Sequence, residues 1–112
     1  MQPYTSLVYN SDFQRTYRKG ISVIHPYLVV YVRKNNTGKT RVGFTCSKKV
    51  GNAVKRNRAR RIMKNGLLMA APNGIGPYDI VLVGRVRTSS LKSTQLASTM
   101  VKIFEKENIS IL

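Results

Sequence analysis

The residues best suited to chemistry in this chain are cations in close succession. Lys48, Lys49, Lys55, Arg56, Arg58, Arg60, Arg61 and Lys64 fall within one short stretch that contains no Asp or Glu. A solvated helix face normally interleaves acids with its bases, so the counter-charge here must come from outside the chain, and a polyphosphate supplies it. The only carboxylates are Asp12, Asp79, Glu105 and Glu107, far apart in sequence. Their scarcity argues against a two-metal nuclease site built by the protein. Cys46 alternates with Thr45 and Ser47 in a β pattern and reads as a small buried residue rather than a nucleophile. His25 precedes Pro26 with no Cys, His or acid beside it, so neither a metal site nor a triad is indicated. The chain reads as a binding protein whose chemistry resides elsewhere.

Its whole composition tilts the same way. Over 112 residues, Lys and Arg outnumber Asp and Glu by 20 to 4, a formal charge of +16. Self-repulsion on that scale weakens the compact state and is tolerated when a polyanion is the working partner, either nucleic acid or an anionic membrane. The membrane is the weaker reading. No apolar run approaches the roughly 20 residues of a spanning helix, and the opening MQPYTSLVYN lacks the basic and apolar regions of a signal peptide. One cysteine cannot form an internal disulfide, so a cytoplasmic location is expected.

These residues need elements to position them, and the length suits one domain over residues 1–112. Ser11 with Gln14 has the form of a capping box and Gly20 sits at a helix end, predicting a helix over 11–19 with Phe13 and Tyr17 on one face. From Ser22 to Arg33 the chain is β-like, with Leu28, Val30 and Val32 alternating against Tyr27, Val29, Tyr31 and Arg33. After a turn at 35–38, a strand over 41–47 places Val42, Phe44 and Cys46 on one side and Arg41, Gly43, Thr45 and Ser47 on the other. The basic helix is expected over 52–69, weakened by Gly66, with Ala59, Ile62, Met63 and Met69 opposite its cationic row. A loop at 72–77, a strand over 79–86 and a last helix over 94–106, carrying Leu96, Met100, Ile103 and Phe104, complete the chain. The expected architecture is α+β: a sandwich of a mostly antiparallel four-stranded sheet with helices on one side and the first helix bordering the open face.

That open face would show Tyr27, Tyr31, Arg33, Arg41, Thr45 and Ser47. Rings among cations and hydroxyls hold single-stranded nucleic acid, because bases stack on the rings and phosphates meet the cations. Spacing alone favours a plain core contact beneath a helix for Phe13 and Tyr17.

The run Ser47-Lys48-Lys49-Val50-Gly51-Asn52-Ala53-Val54-Lys55-Arg56-Asn57-Arg58-Ala59-Arg60-Arg61 resembles the signature of the bacterial ribonuclease P protein subunit, including its Arg-Asn-Arg core. The likeness continues in Asp12-Phe13-Gln14, Tyr17-Arg18-Lys19-Gly20, Tyr27 to Tyr31, Arg41-Val42-Gly43, and Asp79-Ile80-Val81 through Gly84-Arg85. It departs after Arg61, where the family often continues with another arginine and an acid and this chain has Lys64, Asn65 and Gly66.

The resemblance implies a cofactor to an RNA enzyme that removes the 5′ leader of precursor tRNA, with the RNA and Mg²⁺ performing the hydrolysis. It implies a fold shared with a ribosomal-protein domain and a left-handed βαβ crossover, against the usual right-handed preference. Lys48, Lys49, Arg56, Asn57, Arg58, Arg60, Arg61 and Lys64 would face the catalytic RNA. Phe13, Tyr17 and Tyr31, joined by Arg41 and Thr45 from the sheet face, would line the cleft for the precursor leader. No protein-held metal is expected; Mg²⁺ would sit mainly on RNA. A ribosomal or general RNA-binding protein is the competing reading.

Overall fold

The computed structural model describes residues 3–112; Met1 and Gln2, the first residues of the expected domain, lie outside the described residues. Strand β1 (Thr5–Ser6) leads into helix α1 (Asn10–Lys19), followed by β2 (Ile21–Ile24), β3 (Leu28–Lys34) and β4 (Arg41–Cys46). A single 3₁₀ turn (Lys48–Val50) precedes α2 (Ala53–Ala70), and β5 (Tyr78–Gly84) and α3 (Ser93–Lys106) follow. The sheet has five strands in the order β1-β4-β5-β3-β2.

This corrects the four-stranded, mostly antiparallel sheet. β4 runs parallel to both β1 and β5, while β3 runs antiparallel to β5 and β2. The 18-residue α2 carries the chain from the end of β4 back to the start of β5, which is the crossover that a parallel pair needs. The β-like run from Ser22 also divides. His25 Nδ1 accepts the Tyr27 N–H at 3.0 Å and His25 N donates to Leu28 O at 3.0 Å, making Pro26 the tip of a hairpin. Proline suits that place because it has no N–H to give a ladder.

Alternation sorts the strands into two faces. Leu28, Val30 and Val32 of β3, Val42 of β4, and Ile80 and Leu82 of β5 are buried in one core with Met63 and Leu67 of α2 and Leu96, Met100 and Phe104 of α3. The helical stripe expected on α3 is therefore present. Phe44 and Cys46 pack against this core half-buried. Helix α1 lies across the other face, where Tyr17 meets Tyr31 of β3 and Phe13 meets Gly43 of β4. The helices therefore occupy both sides of the sheet.

Three local expectations change. Helix α1 starts at Asn10 with Tyr9 as N-cap and no side-chain cap, so Ser11 is already inside the helix and forms no capping box. Gly66 is not a break: α2 runs on to Ala70, and a Cβ at position 66 would come within 3.1 Å of Leu96 Cβ and 3.2 Å of Ser93 O. The glycine lets α3 approach α2, and this packing offsets its intrinsic cost of about 1 kcal/mol. Met69 is 54% exposed, since it stands about 240° round the helix from Met63. Leu67 and Ala70 take the buried positions instead.

Candidate nucleic-acid interface

The cationic stretch becomes one surface through its caps. Ser47 Oγ accepts from Lys49 N at 3.2 Å and Val50 is buried, which pins the 3₁₀ turn and leaves Lys48 and Lys49 exposed. Gly51 has φ of 128°, a conformation that favours glycine, and there the chain turns into α2. Asn52 caps the helix by accepting from Lys55 N at 3.0 Å. The positive end of the helix dipole thus adds to the charge of Lys48, Lys49 and Lys55.

Along α2, Ala59 and Met63 face the core, Arg56 and Arg60 are half-buried, and Asn57, Arg58, Arg61 and Lys64 are exposed. Asn57 Oδ1 accepts from Arg60 Nη1 at 3.0 Å, so the asparagine between the two arginines of the signature aims a third. The Nε of Arg56 is buried with no hydrogen-bond partner among the described residues. Ion pairs among the described residues use Arg15, Arg33 and Arg41, none of them on α2.

The sheet face beneath α1 gathers the aromatic candidates. The rings of Tyr17 and Tyr31 meet edge to face at 4.9 Å, and Phe13 lies 6.4 Å from Tyr17. All three are half-buried. Burial, then the neighbouring Tyr31, pushes the Tyr17 phenol above its ordinary pKa, so it stays a neutral hydrogen-bonding group. Thr45 is half-buried two residues beyond Gly43 on the same strand face.

Arg41 is on this face but is already engaged. Its Nε and Nη2 donate to Asp79 Oδ1 and Oδ2, each at 2.7 Å, and its Nη1 lies 3.4 Å from Asp12 Oδ2. Arg33 is tied to the same Asp79 at 3.0 Å. Tyr27 stands apart from the cleft at the β2–β3 hairpin, with the Arg87 guanidinium 4.9 Å from its ring centre. Ser47 is spent on the cap of the 3₁₀ turn.

Phe13 connects the two surfaces. A groove of about 500 Å³ runs round the β4 edge, lined by Leu7, Phe13, Phe44, Arg60, Arg61 and Lys64 among others. It opens there because β1 pairs with β4 only at Thr5↔Arg41 and Ser6↔Val42. Apolar ring surface and three cations of α2 therefore share one depression. A second groove of about 490 Å³, between β2 and α3, takes in Tyr27 and none of the other predicted site residues.

Protein-based nuclease chemistry finds no support in these groups. The fold brings Asp12 and Asp79 together, far apart though they are in sequence, but arginines occupy both. Among the described residues, no group of three His, Cys, Asp or Glu could hold a metal ion. Burial pushes the Cys46 thiol up despite the pull of Arg60, the Gly84 backbone and Arg56, and its Sγ donates to Arg56 O at 3.6 Å. It is a protonated packing group.

Sequence reading missed Leu7 and Phe44 as lining of the groove, and it missed Asp79 as the partner of Arg33 and Arg41. Both depend on strand order. Only once β5 lies between β3 and β4 does Asp79 fall opposite Arg33 on one side and Arg41 on the other.

Comparison with known proteins agrees with this geometry. The chain is 37% identical over 103 residues to the ribonuclease P protein component of Clostridioides difficile strain 630, covering 91% of this chain and 90% of that one. It is 38% identical over 108 residues to the corresponding protein of Desulforamulus reducens, covering 96% of both. The Staphylococcus aureus RNase P protein superposes with a TM-score of 0.78 at 30% identity, covering 94% of this chain and 96% of its own. The Thermotoga maritima RNase P protein shares the fold, with a TM-score of 0.74 at 23% identity over 90% of this chain and 96% of that one. The ribonuclease P family model matches residues 1–108, so sequence and fold agree over nearly the whole length, and the chain belongs to the ribonuclease P protein family.

Proposed function

We propose that this chain binds the catalytic RNA of ribonuclease P through α2 and the single-stranded leader of precursor tRNA through the face between α1 and the sheet. The family works in tRNA 5′ processing as the protein component of a ribonucleoprotein endoribonuclease, and the protein alone is not the catalyst. The observation that carries the reading is the groove at the β4 edge. There Phe13 of the aromatic face borders Arg60, Arg61 and Lys64 of an acid-free helix, so a face on which leader bases can stack adjoins a face that can neutralise the phosphates of the catalytic RNA.

In this reading Lys48, Lys49, Arg56, Asn57, Arg58, Arg60, Arg61 and Lys64 meet the catalytic RNA. Phe13, Tyr17, Tyr31 and Thr45 meet the leader, and Arg41 belongs to the cleft as a fixed wall. Mg²⁺ is held mainly by RNA: the carboxylates nearest the cleft, Asp12 and Asp79, are bound to arginines and do not suit a metal. The β4–α2–β5 crossover takes the family's left-handed sense, and the protein works in the cytoplasm. No helix among the described residues is long and apolar enough to cross a membrane.

Reconstitution with a ribonuclease P RNA tests the proposal. Cleavage of precursor tRNA at low Mg²⁺ rises sharply when the protein is added. A folded, RNA-bound protein that gives no stimulation would instead fit a general RNA-binding protein.

A further inference from the structure

Asp79 is the most completely enclosed charge among the described residues, with its side chain 0% exposed. It accepts from Arg33 at 3.0 Å, from Asn35 Nδ2 at 2.8 Å, and twice from Arg41 at 2.7 Å. Replacing a buried ion pair by apolar groups of similar volume is often neutral or stabilising, so stability alone gives weak reason for a carboxylate at mid-sheet. Geometry gives a better one. A guanidinium is planar and rigid, and Arg41 lays its Nε/Nη2 edge against Asp79, which fixes the direction of its remaining nitrogen. That nitrogen, Nη1, meets Asp12 in the first turn of α1.

Asp12 immediately precedes Phe13, and its carbonyl accepts from the buried Thr16 hydroxyl at 2.8 Å. The strut from β5 through Arg41 therefore reaches α1 beside the ring that joins cleft and groove. At 3.4 Å with both partners partly exposed, the Arg41–Asp12 contact is a weak ion pair, suited to orientation more than to stability.

We propose that Arg41, clamped by Asp79, is a positioning residue that sets the seat of α1 over the sheet through Asp12, and so fixes how Phe13 and Tyr17 present themselves to the precursor leader. This rests on the leader-binding reading above. Arg41 acts through α1 and does not itself hold a phosphate.

The test uses the protein reconstituted with ribonuclease P RNA and compares affinity for precursor and mature tRNA in wild type, Arg41→Lys and Asp12→Ala. Arg41→Lys keeps the charge and loses the fork. Asp12→Ala removes the α1 end of the strut, together with the looser Arg15–Asp12 pair at 3.6 Å within α1. Each variant is expected to lower the precursor-to-mature preference by about fivefold or more, the loss of one weakly stacked base. Affinity for the catalytic RNA should stay within about twofold, since α2 is untouched. Variants that keep the wild-type preference overturn the inference, as do variants that lose RNA assembly in equal measure, which would mark general destabilisation. A wild-type particle with no preference for precursor overturns the leader reading itself, a failure visible before any variant is compared.

Discussion

Phe13 rests on Gly43. A Cβ at position 43 would fall 2.5 Å from the ring atoms Cε1 and Cζ, so the strand accepts the ring only because it carries no side chain there. Gly43→Ala is expected to push the ring off the sheet, at a cost of about 1–3 kcal/mol of stability and with weaker preference for precursor tRNA. Thermal melts and paired tRNA titrations check this, and a variant unchanged in both would show that Phe13 has another seat.

Gly66 makes the corresponding contact between helices, 3.1 Å from Leu96 Cβ were a methyl present. Gly66→Ala sets a gain of about 1 kcal/mol in helix propensity against crowding at α3, and near-neutral stability is expected. Gly66→Val must separate the helices and is expected to lose about 1–3 kcal/mol in urea melts. A valine variant as stable as wild type would mean that α3 does not pack here.

Asp79 gives stability a pH dependence of defined sign. Burial pushes its carboxyl up, but hydrogen bonds from Arg41 and Asn35, the Arg41 charge and the Arg33 hydrogen bond outweigh this and hold it below the usual carboxylate range. A depressed folded pKa means that the contribution is complete above the unfolded value of about 3.9 and is lost as pH falls through the folded value. Asp79→Asn is expected to cost about 3 kcal/mol near neutrality, the low end for a broken buried pair, because Arg33 and Arg41 reach solvent. The gap in melting temperature between wild type and variant should narrow below about pH 4. A gap constant with pH would deny the charge its role.

Salt separates the two surfaces. If α2 neutralises about five phosphates, the logarithm of RNA affinity falls against that of salt with a slope near −4.5, and Arg61→Ala should shallow it by about 0.9. Leader stacking on Phe13, Tyr17 and Tyr31 should be far less sensitive to salt. A slope unmoved by Arg61→Ala would remove that residue from the interface.

Local pattern made much of this molecule legible. The alternation of Leu28, Val30 and Val32, the stripe on α3 and the acid-free helix depend on neighbours a few residues away, and all three are present. Pairing was not legible. Nothing near Asp79 in sequence announces Arg33 or Arg41, and a two-residue strand such as β1 has too few positions to show a period. The same limit hid the groove, since Leu7, Phe44 and Arg60 meet only after β1, β4 and α2 are assembled. Gly66 was misjudged for a related reason: propensity describes an isolated helix, while its packing partner Leu96 lies far along the chain.

Two variants of the reconstituted particle separate a surface for the catalytic RNA from a surface for the leader. Arg60→Ala is expected to weaken assembly with the RNA and leave the precursor-to-mature preference of the assembled particle near wild type. Tyr31→Ala is expected to spare assembly and lower that preference by the 1–3 kcal/mol of about one stacked base. Equal effects of both variants on both measurements would contradict the division of the surface.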